Sequence, residues 1–144
     1  MRRLETDAIY SDGGSAPGTP DQITGCAFTV YGAHVDTVRN RGPVTTYDVN
    51  DMVLDNWRVV DRGTAEAKIT LFGPSGIGFV NFGILQELIV NAPIETFGQG
   101  ARGFNVYTGT VNLADFDRVV THADGSVGIQ ISQPIGRLVV HRGI

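Results

Sequence analysis

The sequence predicts an all-β chain folded as a right-handed parallel β-helix, a solenoid with about 25 residues and three short strands per coil. Three observations predict it: a pattern repeating at a constant offset, strand-like alternation inside each repeat, and a composition rich in glycine and poor in charge. Among 144 residues, 19 are glycine and only 18% are charged, which disfavours long amphipathic helices and favours short strands joined by tight turns.

The offset comes first. Residues 69–79 (ITLFGPSGIGF) and 94–104 (IETFGQGARGF) share Ile, Phe, Gly, Gly and Phe at positions 25 apart. The same step leads on to residues 119–129, where Gly128 and Ile129 continue the columns Gly78–Gly103 and Phe79–Phe104. Backwards it leads to residues 44–54, where the apolar ends survive without the glycines, and forwards to Ile144, which begins another copy.

Three apolar segments recur in each unit, each with the i, i+2 spacing of a strand that buries one face. The first is Val44-x-Thr46, Ile69-x-Leu71, Ile94-x-Thr96 and Val119-x-Thr121. The second is Leu54-x-Asn56, Phe79-x-Asn81, Phe104-x-Val106 and Ile129-x-Ile131. The third, less regular, is Leu88-x-Val90, Leu113-x-Asp115 and Leu138-x-Val140. No segment sustains a 3.6-residue stripe. The unit is too short for a propeller blade, and it lacks the leucine and asparagine signature of a leucine-rich repeat. A coil of parallel strands fits, with position n stacked on n+25.

The first third departs from this register. Ile9-Tyr-Ser-Asp-Gly-Gly-Ser echoes Val120-Thr-His-Ala-Asp-Gly-Ser, and the segment from Cys26 to Gly32 echoes the second strand. One domain is therefore expected over residues 1–144. Residues 1–43 form a modified first coil and N-terminal cap with a Pro/Gly loop near 15–24, and residues 44–144 form regular coils, the last incomplete.

Stacking converts the sequence into columns. Tyr47, Phe72, Phe97 and His122 form one aromatic column, and Trp57, Phe82 and Tyr107 form another; both are expected at corners or as a ligand or partner surface. Asn56 and Asn81 are in phase with buried positions and read as an asparagine ladder whose amides satisfy one another.

These stacked columns resemble the right-handed parallel β-helix proteins of the pectate-lyase-like superfamily, over about residues 44–144 plus a degenerate first coil. The resemblance implies architecture. In pectic lyases of this fold, aspartates hold calcium and an arginine abstracts a proton, which directs attention to Asp115 and Asp117, followed by Arg118, with His122 and Asp124 close by. The 25-residue step puts Val90 and Ala92 one coil before Asp115 and Asp117, so no acidic cluster spans several coils. The same step stacks Asp117 with Arg142, the signature of a simple ion pair, and Asp124-Gly125 reads as a turn.

Other signals are thinner. The lone Cys26 excludes an internal disulfide and a cysteine-rich zinc site, and its setting reads as a small buried residue. His34 and His141 stand isolated, and no metal or cofactor is expected. Gly98-x-Gly100-x-x-Gly103 nearly spells a phosphate loop, but no helix follows to give it meaning. A net charge of −4 argues against nucleic acid, and no apolar run reaches a membrane span or a signal peptide, so a soluble chain is expected. The favoured expectation is a non-catalytic module that self-associates or scaffolds through its open end and aromatic columns, its partner another copy or further coils. The alternative is a carbohydrate-binding or polysaccharide-cleaving domain.

Overall fold

A computed structural model describes residues 1–12, 26–30 and 32–144, the side chains of 26–30 excepted. The expected loop near 15–24 and the side chain of Cys26 lie outside the described residues. In chain order the strands begin with β1 (Arg3–Thr6), β2 (Ile9–Ser11), β3 (Cys26–Val30) and β4 (His34–Asn40). Next come β5 (Val44–Thr46), β6 (Met52–Asn56) and β7 (Val59–Ala65), then β8 (Ile69–Leu71), β9 (Ile77–Asn81) and β10 (Ile84–Val90). The chain continues with β11 (Ile94–Thr96), β12 (Arg102–Val106) and β13 (Thr110–Phe116), then β14 (Val119–Thr121), β15 (Val127–Ile131) and β16 (Ile135–Val140). There is no helix among the described residues.

Every strand pairs in parallel with its equivalent one coil away. The three sheets run β1-β4-β7-β10-β13-β16, β2-β5-β8-β11-β14 and β3-β6-β9-β12-β15. The protein is an all-β parallel solenoid of about four turns, with coils about 25 residues apart. Parallel strands form because the chain travels round the other two sheets before returning, a crossover long enough to bring it back in the same direction. The backbone ladder does not stop at the corners. Val44 N–H donates to Lys68 O, Ile69 to Pro93 O and Ile94 to Arg118 O, each at 3.0 Å. Inside the tight turns, Asn50 N–H bonds Pro74 O and Ser75 N–H bonds Gln99 O, both at 2.8 Å. These turns need a left-handed residue, and the column Asn50, Ser75, Gly100 and Gly125 supplies φ values of 60°, 59°, 66° and 69°. Glycine and asparagine tolerate that conformation; Ser75 holds it at a cost.

The constant offset of 25 holds for the second sheet from β5 to β14 and for the third from β6 to β15, but not for the first. Leu85 pairs with Val111 and Leu88 with Ala114, an offset of 26, and Ala114 then pairs with Leu138, an offset of 24. The cause is one extra residue at one corner and one fewer at the next. Tyr107-Thr108-Gly109 replaces Phe82-Gly83, with Gly109 left-handed at φ 73°, and Asp117-Arg118 then replaces Asn91-Ala92-Pro93. So the third apolar segment is corrected. Val111, Ala114 and Phe116 face the core in β13, whereas Leu113 stacks between Glu87 and Arg137. The first-coil echo also shifts by one residue, because Ile9 pairs with Val44 and so joins the column that ends in Val119. In that coil the ladder offset falls from 35 at Ser11–Thr46 to 26 at Cys26–Met52.

The core is a stack of apolar columns, of which Val44, Ile69, Ile94 and Val119 form one that is fully buried. The asparagine ladder is present: Asn56 Nδ2 donates to Asn81 Oδ1 at 2.9 Å, and Asn81 Nδ2 donates to Gly83 O at 2.8 Å. Its continuation by Val106 and Ile131 needs no partner because those side chains are apolar. Two glycines show how sharply the packing discriminates. At Gly78 an added Cβ meets Ile94 Cγ2 at 2.6 Å and Gly103 O at 2.7 Å, so the column Gly78–Gly103–Gly128 lets one sheet press against the next. At Gly63 an added Cβ would sit 3.4 Å from Leu88 Cδ1, beside a cavity of about 30 Å³ that Val38, Leu54 and Phe79 also line.

Opposite outcomes follow for one methyl group. Gly78→Ala is expected to destabilise by about 1–3 kcal/mol through overpacking. Gly63→Ala is expected to stabilise by about 0.4–1 kcal/mol, since its backbone is extended and its site has room. Urea denaturation of both variants checks the pair.

Candidate functional site

The aromatic columns sit where each strand ends and the chain turns. Tyr47, Phe72, Phe97 and His122 follow the strands of the second sheet, with ring centroids 4.9, 5.0 and 4.4 Å apart and planes within 15°. Backbone bonds set that spacing, since Phe72, Phe97 and His122 donate N–H to Thr46, Leu71 and Thr96 one coil before. Tyr10 adds a tilted fifth ring at 5.3 Å from Tyr47, which sequence reading missed because the offset there is not 25. Desolvation, and then the neighbouring Tyr47, raise the Tyr10 phenol above its ordinary pKa. Trp57, Phe82 and Tyr107 stack likewise at 4.0 and 5.4 Å, and Trp57 Nε1 donates to Asp55 Oδ2 at 2.8 Å.

The orientation of these rings matters more than their exposure. Rings stacked along the solenoid axis turn their faces to one another and their edges to solvent. A sugar ring packs on an aromatic face, so the interior rungs offer no free platform. In the longer ladder, His122 is the last rung, and no further ring covers its outer face among the described residues.

The four acid/base candidates each have a partner on a neighbouring coil or stand alone. Asp115 Oδ1 lies 2.8 Å from His141 Nε2. Asp117 accepts two bonds from Arg142, one of them from Nε at 2.7 Å, which confirms the expected ion pair. That hydrogen bond is the main cause holding the Asp117 carboxyl below its ordinary pKa and Arg142 above its own. His122 Nε2 meets Glu95 Oε1 at 2.9 Å, and Glu95 also pairs with Lys68. No ion pair involves Arg118 among the described residues. The residue one coil before Asp115 is Ile89, not Val90, because of the register slip. Asp124-Gly125 forms the expected turn.

His34 and His141 are not isolated, contrary to the sequence reading. Each of the three histidines reaches a carboxylate 26 or 27 residues away: Asp61 from His34, Glu95 from His122 and Asp115 from His141. The signal that could have found them is a diagonal offset one or two residues beyond the coil length.

Each sheet has two end strands, β1, β2 and β3 on one side and β14, β15 and β16 on the other, and the outer edges of the last three are unpaired among the described residues. Val127 and Ile131 are 40% and 43% exposed, whereas Ile77 and Val106 in the same columns are 3% and 0% exposed. Ile129, Leu138 and Val140 pack on the core yet are only half-buried. Val119 N–H donates to Gly143 O at 3.2 Å, the corner bond seen in every coil above, so Ile144 enters the buried column in register. No helix among the described residues is long and apolar enough to cross a membrane. In comparisons with known proteins, the chain matches no family model, no curated protein and no solved structure.

Two measurements test these assignments. Phe72→Ala removes two ring stacks and is expected to cost about 1–3 kcal/mol in denaturant titration; unchanged stability would mean that the ladder is not a structural stack. Hydrogen bonds from Lys68 and then His122 hold the Glu95 carboxyl below its ordinary pKa. A depressed carboxyl adds stability above its unfolded pKa, about 4.3, and loses it as pH falls through the folded value. Glu95→Gln is therefore expected to flatten the decline of melting temperature below about pH 4.3.

Proposed function

We propose that the chain is a non-catalytic β-solenoid module that self-associates through its C-terminal face. The observation that carries this reading is the contrast within the Ile131 column: Asn81 and Val106 are buried in the inner coils, whereas Ile131 is open to solvent. Apolar exposure beside unpaired strand edges suits association with a matching surface. His122 adds a flat aromatic face at the same end, against which a further ring can stack.

The acid/base groups support the same reading. Asp117 is held ionised by Arg142, Asp115 is engaged by His141, and His122 is held between Glu95 and the Phe97 ring. A general acid or base needs a free proton-transfer atom within reach of a substrate, and these groups are committed to joining one coil to the next. The aromatic columns, turned edge-on, give no special support to a polysaccharide ligand.

Size-exclusion chromatography with light scattering tests the proposal. Masses above the 15.4 kDa of a single chain are expected at micromolar concentration, returning to 15.4 kDa in a Val127→Lys/Ile131→Lys double variant. A wild-type chain that stays at 15.4 kDa at every concentration overturns it.

A further inference from the structure

We propose that His34, Asp36 and Asp61 form a surface site for a divalent transition-metal ion of the zinc class, joining the coil of β4 to that of β7. His34 Nε2 is 3.0 Å from Asp61 Oδ2 and 4.0 Å from Asp36 Oδ1. One ligand atom from each of the three residues lies within 4.8 Å of the other two. Zinc binds imidazole nitrogen and carboxylate oxygen at about 2.0–2.2 Å, so ligand atoms around one tetrahedral ion stand roughly 3.3 Å apart. All three side chains are about half exposed, so modest rotations bring the present spread to that value and leave a position for water. An imidazole with two carboxylates suits zinc and its neighbours; calcium and magnesium prefer shells made only of oxygen.

A second observation, the charge balance between coils, points the same way. Four carboxylates face a permanent cation on a neighbouring coil: Glu66 with Arg39, Glu87 with Arg62, Glu95 with Lys68, and Asp117 with Arg142. Asp36 and Asp61 have no such ion pair among the described residues. The ladder pairs His34 with Val59 and Thr37 with Arg62, so the two aspartates hold equivalent positions on adjacent strands and face like charge with like. Such a contact destabilises a sheet, and a divalent ion between the carboxylates reverses its sign. Arg2 lies opposite Asp36 in the ladder, and no ion pair joins the two among the described residues. Arg62 is paired with Glu87, and the Met1 ammonium donates to the His34 carbonyl oxygen at 2.7 Å rather than to either carboxylate.

Calorimetric titration of zinc chloride into the untagged chain tests the site. One ion per chain is expected, with a dissociation constant below about 1 mM. His34→Ala and Asp61→Asn should each weaken binding about tenfold or more, while His122→Ala leaves it unchanged and calcium chloride does not compete. Circular dichroism confirms that the exposed substitutions keep the fold, and zinc-dependent NMR shifts should centre on β4 and β7. No saturable binding by the wild type, equal binding by His34→Ala, or loss in His122→Ala would each overturn the proposal.

Discussion

Everything in this molecule depends on one constraint: among the described residues, the backbone is bonded to the neighbouring coil at corners as well as along the strands. Most solenoid corners could turn loosely if only their strands were paired. Here the N–H groups of Val44, Ile69 and Ile94 bond across the corner, and those of Asn50 and Ser75 bond across the tight turns. A buried backbone group without a partner is costly. The residue gained at the corner before β13 shifts that whole strand, and the one lost at the corner after it returns β14 to an offset of 25.

Because equivalent positions are stacked, side chains meet their own column before they meet anything else. Columns of like residues are tolerated when like attracts like. Aromatic rings stack, apolar side chains pack, and asparagine amides donate and accept in turn. Charge is the exception, and the sequence handles it by shifting the partner. Each histidine reaches a carboxylate 26 or 27 residues away instead of facing a second histidine. One buried amide is left over. Asn105 has neither its Nδ2 nor its Oδ1 bonded, and its column neighbour Val80 shows that an apolar residue suits the position.

The architecture was legible in the sequence because the columns are chemically alike: Ile69 over Ile94, Phe72 over Phe97 and Gly78 over Gly103 announce the coil without any local prediction. The aromatic columns, the asparagine ladder and the Asp117–Arg142 pair followed from the same arithmetic. The register of β13 did not. Leu113 sits where a constant offset expects a core residue, and only the left-handed Gly109 corner reveals that the core position has moved to Ala114. The histidine–carboxylate pairs were hidden for a related reason. Side chains on neighbouring strands also meet diagonally, and a strict column reading sees only direct neighbours.

The same constraint argues where function can reside. Within the inner coils, many charged side chains are met by one from a neighbouring coil, as Arg39 is by Glu66 and Arg62 by Glu87. The outer edges of β14, β15 and β16 are unpaired among the described residues. At the C-terminal face, Ile131 continues a column whose inner members Val106 and Asn81 are buried, and His122 completes a ring stack with one face uncovered. A solenoid transmits its pattern to whatever lies next to it. A surface that matches this face must therefore offer what another coil would offer, strand edges in register, apolar side chains over Ile129 and Leu138, and a planar group over His122.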